Sequence, residues 1–224
     1  MNNLKIGVTG DTHGEDTIRR FLIAKRCEYT DLFVCGDFGY IFYDLPFEER
    51  SLDAISKLGI NVYFIDGNHE NFEKLSEYPI SKWNGGKVQY IRPNIIHLMR
   101  GEIYNFHGLK LFTIGGANSN DKMWRKEWLD WWKEELPSKE ERKYALDNLT
   151  KHNNKVDIVL THTCYSSALN ILGSDYRADE FTDFLEKIYN TVEYKIWYCG
   201  HMHVEKGFNK INFLYENIKE IKIK

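Results

Sequence analysis

Six short, β-branched apolar runs recur along this chain, and each runs into a glycine or threonine with polar residues behind it. They are KIGVT before Gly10, LFVC before Gly36, VYFID before Gly67, KLFTI before Gly115, DIVL before Thr161 and KIWYC before Gly200. Near-continuous apolar runs of this length suit strands covered on both faces. Helical spacing lies between several of them, at Ile18, Phe21, Leu22 and Lys25 and again at Leu52, Ile55 and Leu58. Alternating strand and helix predicts an α/β layered fold. Other segments read as antiparallel. EIYNF and LKLFTI flank His107-Gly108 as a hairpin flanks its turn, and the tail from Val204 to Lys224 gives more short alternating runs. The expectation is of mixed sheets, two of them packed face to face.

Residues 118–155 break the rhythm. SNDKMWRKEWLDWWKEEL reads as a helix stopped at Pro137, with Trp124, Trp128, Trp131 and Trp132 as its apolar stripe. Ser138 and Glu141 then have capping-box spacing and open a second helix through about Leu149. The excursion is read as part of one domain spanning 1–224. Packing against the sheets is the plain role for the tryptophans, and an aromatic wall for a nucleobase is the alternative.

The polar residues behind the runs carry the chemistry. Asp11 and His13 follow the first run, Asp37 the second, Asn68, His69 and Glu70 the third, His162 the run DIVL, and His201 and His203 the run KIWYC. In α/β sheets ligands bind outside the carboxyl ends of the strands. Five strand ends thus deliver two Asp, one Asn and five His, and only His97, His107 and His152 of the eight histidines lie elsewhere. Imidazole with carboxylate suits divalent Mn, Fe, Zn or Ni. The set is too large for one ion and about right for two, with a carboxylate able to bridge them. Asn68 could instead be a helix cap.

Composition narrows the partners. A net charge of −3 gives no global basic field, so neither a stable nucleic-acid complex nor an anionic membrane surface is expected. No apolar run approaches the roughly 20 residues of a membrane span, and the N-terminus does not read as a secretory peptide. Cys27, Cys35, Cys164 and Cys199 have no paired spacing and read as free, mostly buried thiols in a cytoplasmic protein.

As a set, Asp11-x-His13, Gly36-Asp37, Gly67-Asn68-His69-Glu70, His162 and Gly200-His201-Met202-His203 resemble the motif series of the calcineurin-like metallophosphoesterase superfamily. The resemblance implies a four-layer α/β/β/α sandwich with a dinuclear centre of two divalent transition ions, manganese first. Carried over, it implies that Asp11, His13 and His203 hold one ion, that Asn68, His162 and His201 hold the other, and that Asp37 bridges. It makes His69 a catalytic group beside the phosphate. It also implies hydrolysis of a phosphate ester by metal-activated hydroxide.

The chain departs from the protein-phosphatase pattern G-D-x-x-D-R-G, because Tyr40 and Ile41 stand where its Asp and Arg would be. That argues against a protein phosphatase and for a phosphodiester of nucleotide type. A phosphomonoester, or short nucleic-acid ends, come second, and a non-catalytic scaffold is disfavoured because every ligand of the series is present. The missing cation needs a substitute. Arg125 is the expected catalytic replacement, with Lys122 next, since both follow the Gly115-Gly116 strand end.

Overall fold

A computed structural model describes residues 4–14, 18–43 and 45–222. The first half runs β1 (Ile6–Thr9), α1 (Arg19–Arg26), β2 (Asp31–Val34), α2 (Pro46–Lys57), β3 (Asn61–Phe64), α3 (Phe72–Ser76), β4 (Ile80–Trp83), β5 (Gly86–Arg92) and β6 (Ile95–Leu98). The second runs β7 (Glu102–Phe106), β8 (Leu109–Ile114), α4 (Lys139–Lys151), β9 (Ile158–Thr161), α5 (Ser166–Leu172), α6 (Glu180–Thr191), β10 (Ile196–Cys199), β11 (Lys206–Phe208), β12 (Ile211–Phe213) and β13 (Lys219–Ile221). The predicted tail runs on to Lys224, and its last two residues lie outside the described ones.

The strands form two mixed sheets, in the orders β13-β1-β2-β3-β6-β5-β4 and β11-β12-β10-β9-β8-β7. Each has a parallel centre, β1-β2-β3-β6 in one and β8-β9-β10-β12 in the other, with antiparallel edges. Alternation along the strands explains the continuous apolar runs. Ile6, Val8, Phe33 and Cys35 meet Leu111, Ile158, Leu160 and Tyr198 between the sheets. Leu32 and Val34 turn the other way and meet Phe21, Leu52 and Ile55 of α1 and α2. Val159 and Trp197 meet Leu149, Leu185 and Ile188 of α4 and α6. Both faces of each sheet are therefore buried, and every such side chain contributes roughly 1.5–3 kcal/mol. The result is the α/β/β/α sandwich that the motif series implied.

The hairpin forms as its turn residues dictate. Phe106 pairs with Leu109, while His107 and Gly108 both take positive φ, 51° and 85°, as a two-residue turn between twisted strands requires. The Ser138–Glu141 capping box is also present, and α4 runs two residues past Leu149 to Lys151.

The first predicted helix of the excursion does not form. The chain makes two isolated 3₁₀ turns, Lys122–Trp124 and Lys133–Glu135, with Trp128 at φ 67° between them. The tryptophans do not share a face. Trp124 is 82% exposed and Trp128 56%, whereas Trp132 is 2% exposed. The reason is tertiary: a helix would place the polar positions outward, but Glu135 is buried and paired with Lys122 at 2.6 Å, and Arg125 turns in to His69. Those contacts override the local spacing. Of the cysteines, Cys27 is exposed and Cys35, Cys164 and Cys199 are buried, all unpaired. Among the described residues no helix is long and apolar enough to cross a membrane.

Candidate metal centre

The parallel strands of each sheet end along one edge, and the facing sheets bring the two edges together. Backbone N–H groups of one strand-end loop hold the carboxylates of another. His69 N donates to Asp37 Oδ1 at 2.7 Å, and His201 N donates to Asp11 Oδ1 at 2.9 Å. His13 N donates to the Asp37 carbonyl at 2.8 Å. Gly67 and Gly200 are required by close approach, since a Cβ on either would run into the Asp37 or the Asp11 carboxylate. His13, Asp37, His201 and His203 all sit at positive φ, between 48° and 62°. Left-handed backbone is unfavourable for such residues and gathers at functional sites.

Two groups of donor atoms result. In the first, His203 Nε2 lies 3.0 Å from Asp11 Oδ2 and 3.0 Å from His13 Nε2. In the second, His162 Nε2 lies 3.0 Å from Asn68 Oδ1 and 3.4 Å from Asp37 Oδ1. The Asp37 carboxylate spans them, with Oδ1 toward His162 and Oδ2 3.9 Å from His13 Nδ1. The ring of His201 lies 4.9 Å from that of His162. Asp11, His13 and His203 have ligand atoms close enough to share one ion, and so do Asp11, Asp37 and His162.

The chemistry of the second group tests the fit. His162 Nδ1 faces the Cys35 carbonyl at 2.7 Å and must donate to it. The Nε2 of a neutral ring would then turn its lone pair on two oxygens, which is repulsive. A cation is needed there, either a proton or a metal ion. Without metal the proton serves. Burial lowers the basicity of His162, but Asp37 and Asp11 outweigh it and push the ring up to about 10. Burial opposes ionisation of Asp37 too, yet His162, His69 and His13 hold its carboxyl well below the usual range. Burial and the neighbouring His162 push His201 down to about 4, leaving it neutral and free to ligate. The residues present therefore fit divalent ions.

His69 sits beside these groups, its ring 5.5 Å from that of His13. Arg125 lies against it, Nη1 2.8 Å from Nδ1 and Nη2 3.1 Å from Nε2. Burial lowers the His69 pKa and Arg125 lowers it further, against Asp37. Asp121 holds the guanidinium at 2.8 Å. Lys122, the second cation candidate, is drawn instead to Glu135. Tyr40 is buried against Phe21 and Phe38. Asn68 is not a helix cap, because Asn71 caps α3 by accepting from Lys74 N. Sequence reasoning missed Asp121, four residues before Arg125, whose spacing was its one signal. It also missed what Glu70 does: a carboxyl oxygen of this buried side chain accepts from Phe38 N at 2.8 Å and steadies the loop that carries Asp37.

A cleft of about 320 Å³ opens beside His201 and His203, lined also by Asn118, Asn120, Tyr176 and Arg177. A larger groove of about 890 Å³, lined by Tyr165, Tyr189 and Phe208 among others, includes none of the ligating groups.

Known proteins resemble this chain in sequence and in fold. The chain is 27% identical to a lariat debranching enzyme of Schizosaccharomyces pombe over 177 residues, covering 71% of this chain and 36% of that protein. It is 29% identical to lariat debranching enzyme A of Xenopus laevis over 133 residues, covering 50% of this chain and 23% of that protein. It thus spans well under half the length of these relatives. The crystal structure of TT1561 of Thermus thermophilus shares the fold, with a TM-score of 0.52 at 12% identity over 88% of this chain and 81% of that one. The family model described as calcineurin-like phosphoesterase matches residues 4–205, and the chain belongs to that family.

Proposed function

We propose that this chain hydrolyses a phosphodiester of nucleotide type with two divalent ions, manganese first among the candidates. The observation that carries the reading is the Asp37 carboxylate, one oxygen toward His162 and the other toward His13, between two groups of ligand atoms. Asp11, His13 and His203 would hold one ion, and Asn68, His162 and His201 the other. Bound there, such ions lower the pKa of water to near neutral and polarise phosphoryl oxygens.

The protein's own groups do the rest. Asp37 aligns the two halves of the centre. His69, kept neutral near pH 7 by burial and Arg125, would donate its ring N–H to the leaving oxygen once the guanidinium that now faces both its nitrogens moves onto the phosphoryl group. Arg125 meets the phosphoryl charge that the ions leave, with Asp121 fixing its fork. The part of the substrate beyond the phosphate lies in the cleft at Tyr176 and Arg177. Three features support a diester over a monoester. Ile41 stands where a protein phosphatase has its Arg, the cleft leaves room for a second organic group, and the relatives are named for debranching. Trp124, exposed and next in the chain to Arg125, supports a nucleotide.

A substrate panel with Mn²⁺ tests this. Bis(p-nitrophenyl) phosphate should show a higher kcat/KM than p-nitrophenyl phosphate, and phosphopeptides should be poor. Efficient phosphopeptide hydrolysis would reverse the ranking.

A further inference from the structure

Asn68 is held from behind by groups that the motif series does not contain. Its Nδ2 donates to Ser119 Oγ at 2.9 Å. Ser119 Oγ lies 2.6 Å from Glu135 Oε2, and Ser119 N donates to Glu135 Oε1 at 3.2 Å. Lys122 Nζ completes the chain, 2.6 Å from Glu135 Oε1. Asn68, Ser119 and Glu135 are all buried, at 3%, 5% and 0% exposure.

The order of donors along this chain is forced. An ion-paired carboxylate only accepts, so Ser119 must give its single hydroxyl proton to Glu135. The Ser119 oxygen is then an acceptor, and among the described residues the donor facing it is the Asn68 amide nitrogen. That distinguishes the two ends of an amide that is otherwise nearly symmetric in shape. Nδ2 points to Ser119, and Oδ1 points to His162 and the donor atoms around it. Turned over, the amide would set its oxygen against the lone pairs of Ser119 and its NH₂ group against the site of the second ion.

We propose that Ser119 and Glu135 are positioning residues that fix Asn68 with its oxygen toward the second ion. The inference rests on the reading of Asn68 as a ligand. It also gives residues 118–137 a role that neither a packing stripe nor a base-stacking wall supplies. The excursion carries Glu135 on its second 3₁₀ turn, next to the buried Trp132, and so delivers a carboxylate to the back of the metal site.

The test titrates Mn²⁺ into the metal-stripped chain by calorimetry. Electron paramagnetic resonance then follows the coupled-pair signal of the loaded form. Asn68→Ala should lose the second ion. Ser119→Ala should bind the first ion as wild type does and the second about 10–100-fold more weakly, the usual effect of removing a partner of a ligand. Ser119→Thr keeps the hydroxyl and should restore most of that affinity. Glu135→Gln should fall between, since its amide can donate to Ser119 as well as accept from it. Circular dichroism melts on each variant separate these effects from unfolding. If Asn68→Ala weakens the second ion while Ser119→Ala and Glu135→Gln, both folded, leave it unchanged, the positioning role is overturned and the proposed function stands. If Asn68→Ala itself leaves both ions at wild-type affinity, the ligand reading is wrong and the positioning role falls with it.

Discussion

Two buried sites lie side by side behind β3, and both are built from aspartate and histidine. At the first, Asp66 Oδ2 meets Arg100 at 2.8 Å through Nε, and Oδ1 lies 3.3 Å from His97. His97 reaches Gln89 at 2.8 Å, and the Arg100 fork goes on to the Glu134 carbonyl. Charge is balanced by a guanidinium from the chain itself, and the hydrogen bonds close on one another. At the second, two residues on, the groups around Asp11 and Asp37 are imidazoles and backbone N–H groups, and nitrogen faces nitrogen across 3.0 Å. The difference separates structure from function. An acid with its own arginine is a finished ion pair, whereas carboxylates grouped with several imidazoles form a donor set that suits divalent ions.

The comparison breaks most sharply at Asp37. Asp37→Asn should cut hydrolysis by at least about 10³-fold, the upper end for one lost electrostatic contact, because on the proposed reading the carboxylate serves both ions. Steady-state kinetics with metal analysis of the same sample would check it. His69→Ala comes next, with kcat down roughly 10²–10⁴-fold while metal content holds. The loss should shrink on substrates with good leaving groups, and loss of metal would make His69 a ligand instead.

At the finished site the effect should be on stability and not on metal. Asp66→Asn leaves the buried Arg100 with only Glu141, 3.4 Å away, as its acid partner, and should cost up to about 3 kcal/mol in denaturant unfolding, with ion content of the folded protein unchanged. The acid dependence follows in sign. Burial opposes ionisation of Asp66, but Arg100 and His97 lower its carboxyl from 3.8 to about 2. Its contribution is therefore complete above about pH 4 and is lost as pH falls from there toward 2. Asp66→Asn should remove that part of the acid transition. The smallest effect is expected at Arg125, which lies against His69. Arg125→Ala should lower turnover about 10²–10³-fold without releasing metal, and Arg125→Lys should recover part of it. Wild-type turnover in Arg125→Ala would leave the contact with His69 as packing alone.

Much of this was legible in the residues because it is local. A buried strand must be apolar throughout, so runs such as DIVL and KIWYC announce themselves, and their polar ends announce the edge where ligands gather. Ser138 and Glu141 marked a helix start because a cap is written within four residues. The excursion was misread because spacing alone cannot show a tertiary demand. Trp124, Trp128 and Trp132 fall at helical intervals, but Glu135 is needed behind Asn68 and Arg125 beside His69, and no helix satisfies both. Strand β4 gave little signal, since it is an exposed edge with weak alternation. Asp66 and Asp37 look alike in sequence, each an acid beside a strand-end glycine. Only the arrival of Arg100 at one and of imidazoles at the other tells them apart.

The central claim is that the Asp37 site, unlike the Asp66 site, is completed by ions from outside. Exhaustive chelation followed by Mn²⁺ titration, with bound metal and diester hydrolysis measured at each step, tests it most directly. Activity should vanish on chelation and return as two ions bind per chain. Full hydrolysis by the stripped protein, or saturation of activity with no ion bound, would contradict the account.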